Sequence, residues 1–184
     1  MDVTTYQKEA LKTANPLETA GHGVGNCLMG LMGEAGEIAD VYKKIFYHKK
    51  NILLDAIVGE VGDLMWYIAV LCHYLDLSLP EIYTLAIEMN LEGADQLWHA
   101  RNIYGEVYFL SANFSGWTDL EANLLYWSKG SVERSIAVII AHLREILRRE
   151  GRHIPEALDK NIAKLRARHG ESWSGGQYDS KSEG

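Results

Sequence analysis

Apolar and polar residues recur along this chain with the period of a helix. Between residues 27 and 46, Leu28, Leu31, Ile38, Val41 and Ile45 return at steps of three, four or seven residues, which places them on one stripe. The segment "TTYQKEALKTA" (4–14) predicts a first helix that stops at Asn15-Pro16, because proline cannot continue it. The stripe at 27–46 predicts a second helix. After the basic loop "YHKKN", a third is predicted over 52–75. Ser78 and Glu81 have the spacing of a capping box and open a fourth. Ser131 is expected to cap a strongly amphipathic run to residue 149. Gly151 and "HIPEA" then break and restart the chain, and a last helix ends at Gly170. Strand signals are sparse, so the pattern predicts an all-α protein, with 171–184, rich in Ser and Gly, as a flexible tail.

Composition narrows this picture. A chain of 184 residues with 47% hydrophobic residues and three prolines can bury a sizeable core, and residues 1–170 are expected to form one domain. The longest apolar run, 64–72, is too short to span a bilayer. The N-terminus carries an early acid and no apolar h-region, which argues against a secretory signal. Cys27 and Cys72 lie in apolar helical settings and read as reduced, buried thiols of a cytoplasmic protein. The net charge of −7 argues against a surface that tracks nucleic-acid phosphates. An anionic small substrate remains open if a bound cation supplies the positive charge.

The candidate chemistry lies in two stretches of one form, "GEAGE" (33–37) and "GEVGD" (59–63). Glu34 and Glu37 project from one helical face, as do Glu60 and Asp63 on the next helix. The spacer between the pairs suits an antiparallel return, which would gather four carboxylates around one cleft. Four uncompensated negative charges there would be destabilising or would force protonation. A hard divalent cation resolves the conflict, since Mg²⁺ takes carboxylate oxygen and keeps positions for phosphate. A solvated acidic face is the competing reading. Against it, the flanking residues are glycine and apolar side chains (Leu31, Ile38, Leu64, Trp66). The glycines, each costing a helix about 1 kcal/mol, are expected to let a helix or ligand come close to the acids. A di-iron bundle would need Glu-x-x-His pairs; the single one, Glu150 and His153, is interrupted by Gly151.

A faint internal repeat is also present. A shift of about 72 residues pairs Gly33-Glu34 with Gly105-Glu106, and "IAVL" (68–71) with "IAHL" (140–143). Pro80-Glu81 pairs with Pro155-Glu156 at a slightly larger offset. In such a second copy Phe109, Val132 and Ser135 replace Glu37, Glu60 and Asp63.

Together, "YQKEALKTA", "GLMGEAGEIADVYKK", "EVGDLMWYIAVL" and "NIAKLRARHG" resemble the MazG-like nucleotide pyrophosphohydrolases, an all-α group whose signature is ExxE followed by ExxD. The resemblance covers about 4–90 and again 154–170. It implies that Glu34, Glu37, Glu60 and Asp63 bind Mg²⁺, with Mn²⁺ as a possible substitute, and that a nucleoside triphosphate is hydrolysed to monophosphate and pyrophosphate. It also implies a homo-oligomer, most simply a dimer whose subunits complete each other's sites. Lys43 or Lys44 could reach a phosphate. Asn161, Lys164 and Arg168, on one side of the last helix, could serve sugar and phosphate. Trp66, Tyr67 or Trp98 could stack on a base. Residues 92–152 depart from the family pattern, as a helical insertion or as the degenerate second copy. The rival function is a non-catalytic helical protein that retains a vestigial nucleotide site.

Overall fold

The computed structural model describes residues 1–17, 19–52, 54–91, 93–113 and 128–170. Seven helices make up these residues and no strand occurs among them: α1 Val3–Thr13, α2 Ala20–Phe46, α3 Leu54–Tyr74, α4 Leu79–Glu88, α5 Gln96–Asn113, α6 Lys129–Arg149 and α7 Ile154–His169. The expected tail at 171–184, and Phe114, Trp117, Tyr126 and Trp127 of the departing segment, lie outside the described residues.

Local chemistry accounts for most boundaries. Asp2 caps α1 by accepting from the Thr5 backbone N–H at 2.9 Å, and Ser78 caps α4 by accepting from that of Glu81. Gly151 and Gly170, with φ of +69° and +77°, take the left-handed conformation that ends α6 and α7. Two boundaries differ from the sequence expectation. α2 begins at Ala20, seven residues before the stripe, with Thr19 as its cap. Its glycine-rich start is held in helix by packing, since Gly23 lies directly under the Tyr74 ring. α6 is capped by Ser128, not Ser131: Ser128 Oγ accepts from the Ser131 N–H at 3.2 Å, so Ser131 sits a turn inside the helix.

The core is one cluster to which every helix contributes. Leu28, Leu31, Ile38 and Val41 of α2 are buried as the stripe requires, against Val61, Leu64, Met65 and Ile68 of α3. α3 is apolar enough by length and composition to cross a membrane, yet over half of that stretch is buried inside the bundle, and it serves as the central core helix. Cys27 and Cys72 are both buried and free, and burial raises each thiol to about 12.

Two antiparallel hairpins, α2–α3 and α5–α6, pack against one another chiefly through α2 and α5. The helix that follows each hairpin lies on the other one: α4 covers α6, and α7 covers α3. Moving the neighbouring positions Cys27 and Val70 on by 72 residues gives His99 and His142. Their Nδ1 atoms are 2.9 Å apart across α5 and α6.

Candidate active site

One seam of the α2–α3 hairpin carries the chemistry. Its positions on α2 are Gly23, Gly30, Glu34 and Glu37; on α3 they are Tyr74, Tyr67, Asp63 and Glu60, the same spacing in reverse. Two contacts fix the register. A Cβ on Gly23 would lie 2.3 Å from the Tyr74 ring, and one on Gly30 would lie 2.1 Å from the Tyr67 ring. Further along, Glu34, Glu37 and Glu60 each bring a carboxylate oxygen to within 4.8 Å of the others.

This crowding has an electrostatic cost. Partial burial raises Glu34 to about 7, and the charges of Asp63, Glu37 and Glu60 add to it, with Lys164 opposing. Glu60 is raised as well, by burial first and then by Glu37 and Asp63. A set of three carboxylate donors in which Glu34 and Glu60 are held against ionisation suits a hard cation, which would relieve that repulsion.

Asp63 is held differently from the other three acids. Lys164 pairs with both of its oxygens, and the Asn161 amide donates to Oδ1 at 2.8 Å. The Asn161 amide is itself oriented by the buried Tyr6 hydroxyl, a donor 2.9 Å from Asn161 Oδ1 and 3.2 Å from the Gly62 carbonyl. α7 reaches this position because residue 62 is glycine. A Cβ there would lie 2.8 Å from the Ala157 carbonyl oxygen and 2.9 Å from Asn161 Cβ. The expectation that the motif glycines clear space for a helix therefore holds at Gly62. A Cβ on Gly33, Gly36 or Gly59 would meet nothing within 4 Å, so these three leave open room beside the acids.

A pocket of about 280 Å³ opens from Glu34 and Asp63. Lys164 and Arg168 line it on the α7 side, Trp66, Tyr67 and Tyr74 form its α3 wall, and Asn15 and Asn26 add amides. Trp66 is fixed at its polar edge, where its indole N–H donates to Thr13 Oγ1 at 2.9 Å. Its ring meets Tyr67 edge-on, with centroids 4.9 Å apart.

Of the residues singled out from sequence, Glu34, Glu37, Glu60, Asp63, Trp66, Tyr67, Asn161, Lys164 and Arg168 meet in this cluster and pocket. Lys43 and Lys44 do not line the pocket; both pair with Asp40, which they hold down at about 2. Trp98 lies elsewhere, against His99 and His142. Glu150 caps the end of α6 and His153 the start of α7, so they form no helical ligand pair. Among the described residues, none of 92–152 lines the pocket; within that segment α5 packs against α2. Sequence reasoning missed Tyr6, Thr13, Asn26 and Tyr74. The mirrored spacing of 23-30-34-37 and 74-67-63-60 was the signal that could have revealed Tyr74.

Among known proteins, the chain is similar to the Gene 37 protein of Mycobacterium phage L5. It is 38% identical over 95 residues, covering 45% of this chain and 79% of that shorter protein. No protein-family model and no solved structure matches it.

Proposed function

The chain belongs to the family of the Gene 37 protein of Mycobacterium phage L5, a name that states no activity, and from the site itself we propose a Mg²⁺-dependent nucleoside triphosphate pyrophosphohydrolase. The observation that carries this reading is the joining of three converging glutamates to a pocket with cations on one wall and aromatic rings on another. Glu34, Glu37 and Glu60 would hold the cation, with Asp63 as a fourth ligand once Lys164 leaves it. When bound, Mg²⁺ neutralises phosphate charge and polarises the phosphorus for attack. Lys164 and Arg168 bind phosphate oxygens from the α7 side, while Trp66 offers a fixed face to the base. Glu34, which belongs to both cluster and pocket, orients the attacking water and takes its proton. The water oxygen bonds to the α-phosphorus and the bond from that phosphorus to the α–β bridging oxygen breaks. Pyrophosphate leaves and a nucleoside monophosphate remains. The substrates favoured by the family resemblance are deoxynucleotides such as dUTP or dCTP, in nucleotide-pool control in the cytoplasm.

The exchanged helices support a reading of the second hairpin as a worn copy of the first. Its closing helix, α7, completes the first copy's site as a partner subunit would. The test is a panel of ribo- and deoxynucleoside triphosphates with Mg²⁺, products being resolved by ion exchange. Monophosphate and pyrophosphate are expected. Release of orthophosphate contradicts the cleavage position, and binding without cleavage would favour a vestigial site.

A further inference from the structure

A second pocket, of about 440 Å³, opens on the exposed face of α5, lined by Trp98, Arg101, Asn102, Gly105 and Glu106. These residues are spaced by three and four, so they share one side of the helix. Moved back by 72 residues, Trp98 and Glu106 fall on Asn26 and Glu34, which line the first pocket, and Gly105 falls on Gly33. The second hairpin thus holds a pocket where its likeness to the first would put one, with different chemistry. Phe109, Val132 and Ser135 stand where Glu37, Glu60 and Asp63 would be, so no carboxylate cluster remains to hold a cation. An aromatic platform and a positive charge are found instead. Trp98 is 43% exposed, and its ring is braced edge-on by His99 and His142, each with its centroid 5.2 Å away. One turn on, the Arg101 guanidinium has no ion-pair or hydrogen-bond partner among the described residues, and neither has the Glu106 carboxylate. The Asn102 side chain donates to the Trp98 carbonyl at 2.7 Å, which leaves its own oxygen to accept from a ligand. A Cβ on Gly105 would meet nothing within 4 Å, so no packing contact accounts for a glycine in mid-helix; it keeps the pocket floor open.

We propose that this pocket binds a nucleoside monophosphate without a metal ion, its base stacked on Trp98 and its phosphate at Arg101. The choice of ligand rests on the pyrophosphohydrolase reading above, in which a monophosphate is the product. Arg101 lies about 4.5 Å along the helix from Trp98, and its long side chain covers the remaining distance from a stacked base to its 5′-phosphate. One guanidinium matches one phosphate, which it can grip with paired N–H donors. Glu106 lies about 7.5 Å beyond Arg101 along the same face. With no cation beside it, its carboxylate repels the outer phosphates of a di- or triphosphate, so the site favours the shorter ligand.

The experiment follows the indole N–H signals of the ¹⁵N-labelled full chain by NMR while AMP or dUMP is added in EDTA. Trp66 reports on the first pocket and Trp98 on the second, each signal being assigned by replacement with Phe. The Trp98 signal is expected to move and saturate, with a Kd on the order of 0.1–1 mM. Arg101→Gln, at an exposed position, should weaken that binding by about tenfold, whereas Arg168→Gln in the first pocket should leave it unchanged. ATP in EDTA should bind less tightly than AMP by about tenfold. The dispersion of the other indole signals establishes that each variant is folded. A response confined to Trp66, or weakening by Arg168→Gln and not by Arg101→Gln, places the ligand in the first pocket and overturns the proposal. A Trp98 signal that stays still up to about 10 mM ligand overturns it too, and ATP binding as tightly as AMP overturns the choice of a monophosphate. The readout needs no turnover. Cleavage of triphosphates with a silent Trp98 removes this site and leaves the pyrophosphohydrolase reading standing, and a Trp98 response in a chain that cleaves nothing supports the site while removing that reading.

Discussion

Replacing Glu34 with glutamine is expected to stabilise the cation-free protein while destroying its response to Mg²⁺. In the folded chain Glu34 is raised from 4.5 to about 7, by burial first and then by its acidic neighbours. The folded state therefore binds a proton more tightly than the unfolded state between these values. The associated stability is fully present below pH 4.5, is lost as pH rises towards 7, and stays lost above it. That span corresponds to roughly 3 kcal/mol. Water entering the open pocket screens part of it, so the gain expected from glutamine at pH 8 is about 1–3 kcal/mol. For a chain of this size that is roughly 2–12 °C in Tm. The assay is thermal unfolding of both proteins from pH 5 to 8, with EDTA and with millimolar Mg²⁺. The difference between them should widen as pH rises, and Mg²⁺ should raise Tm of the wild type but hardly that of Glu34→Gln. A variant no more stable than the wild type at pH 8, or a difference that ignores pH, would refute the electrostatic account of the cluster.

Other substitutions test the rest of the site. Gly62→Ala would place its Cβ against the Ala157 carbonyl and Asn161, so it should cost about 1–3 kcal/mol in urea unfolding as α7 is pushed from α3. Alanine at Gly33, Gly36 or Gly59 meets open space, and each should add up to about 1 kcal/mol of stability; a simultaneous fall in triphosphate turnover would mark that space as the substrate's. His142 is buried and lowered from 6.5 to about 4, by burial and then by His99, so stability should fall by roughly 3 kcal/mol as pH drops across that window. The joint replacement His99→Leu with His142→Leu should remove that slope, read by denaturant titration at pH 4 and 7. Glu37→Gln should abolish pyrophosphate release while helical circular dichroism persists; undiminished turnover would remove Glu37 from the cation's ligands.

The acids were legible in the sequence because helical spacing alone puts Glu34 with Glu37 and Glu60 with Asp63, and the spacer length suits a hairpin. The different state of Asp63 was not, because its partners Lys164 and Asn161 come from a helix about a hundred residues away. Propensity misread the start of α2, where glycines that weaken an isolated helix are the seats that tyrosines of α3 require. At the start of α6 two serines a turn apart looked alike, and only the hydrogen bond from Ser131 N–H to Ser128 Oγ separates them. Lys43 and Lys44 followed the motif closely enough to look like phosphate ligands, but Asp40 on the same helix is nearer to both.

The position of α7 in the chain has a consequence for the order of events during synthesis. The carboxylate hairpin leaves the ribosome before α7, and Lys164, which compensates Asp63, follows 101 residues later. The Tyr6 hydroxyl waits still longer for Asn161, across 155 residues. Contacts of such separation form late, after local helices and hairpins. A nascent chain therefore carries Asp63 without its Lys164 partner until α7 has been made. The pocket that Lys164 and Arg168 help to line gains that wall only when α7 docks, so its two halves are joined well after the carboxylate hairpin has been made.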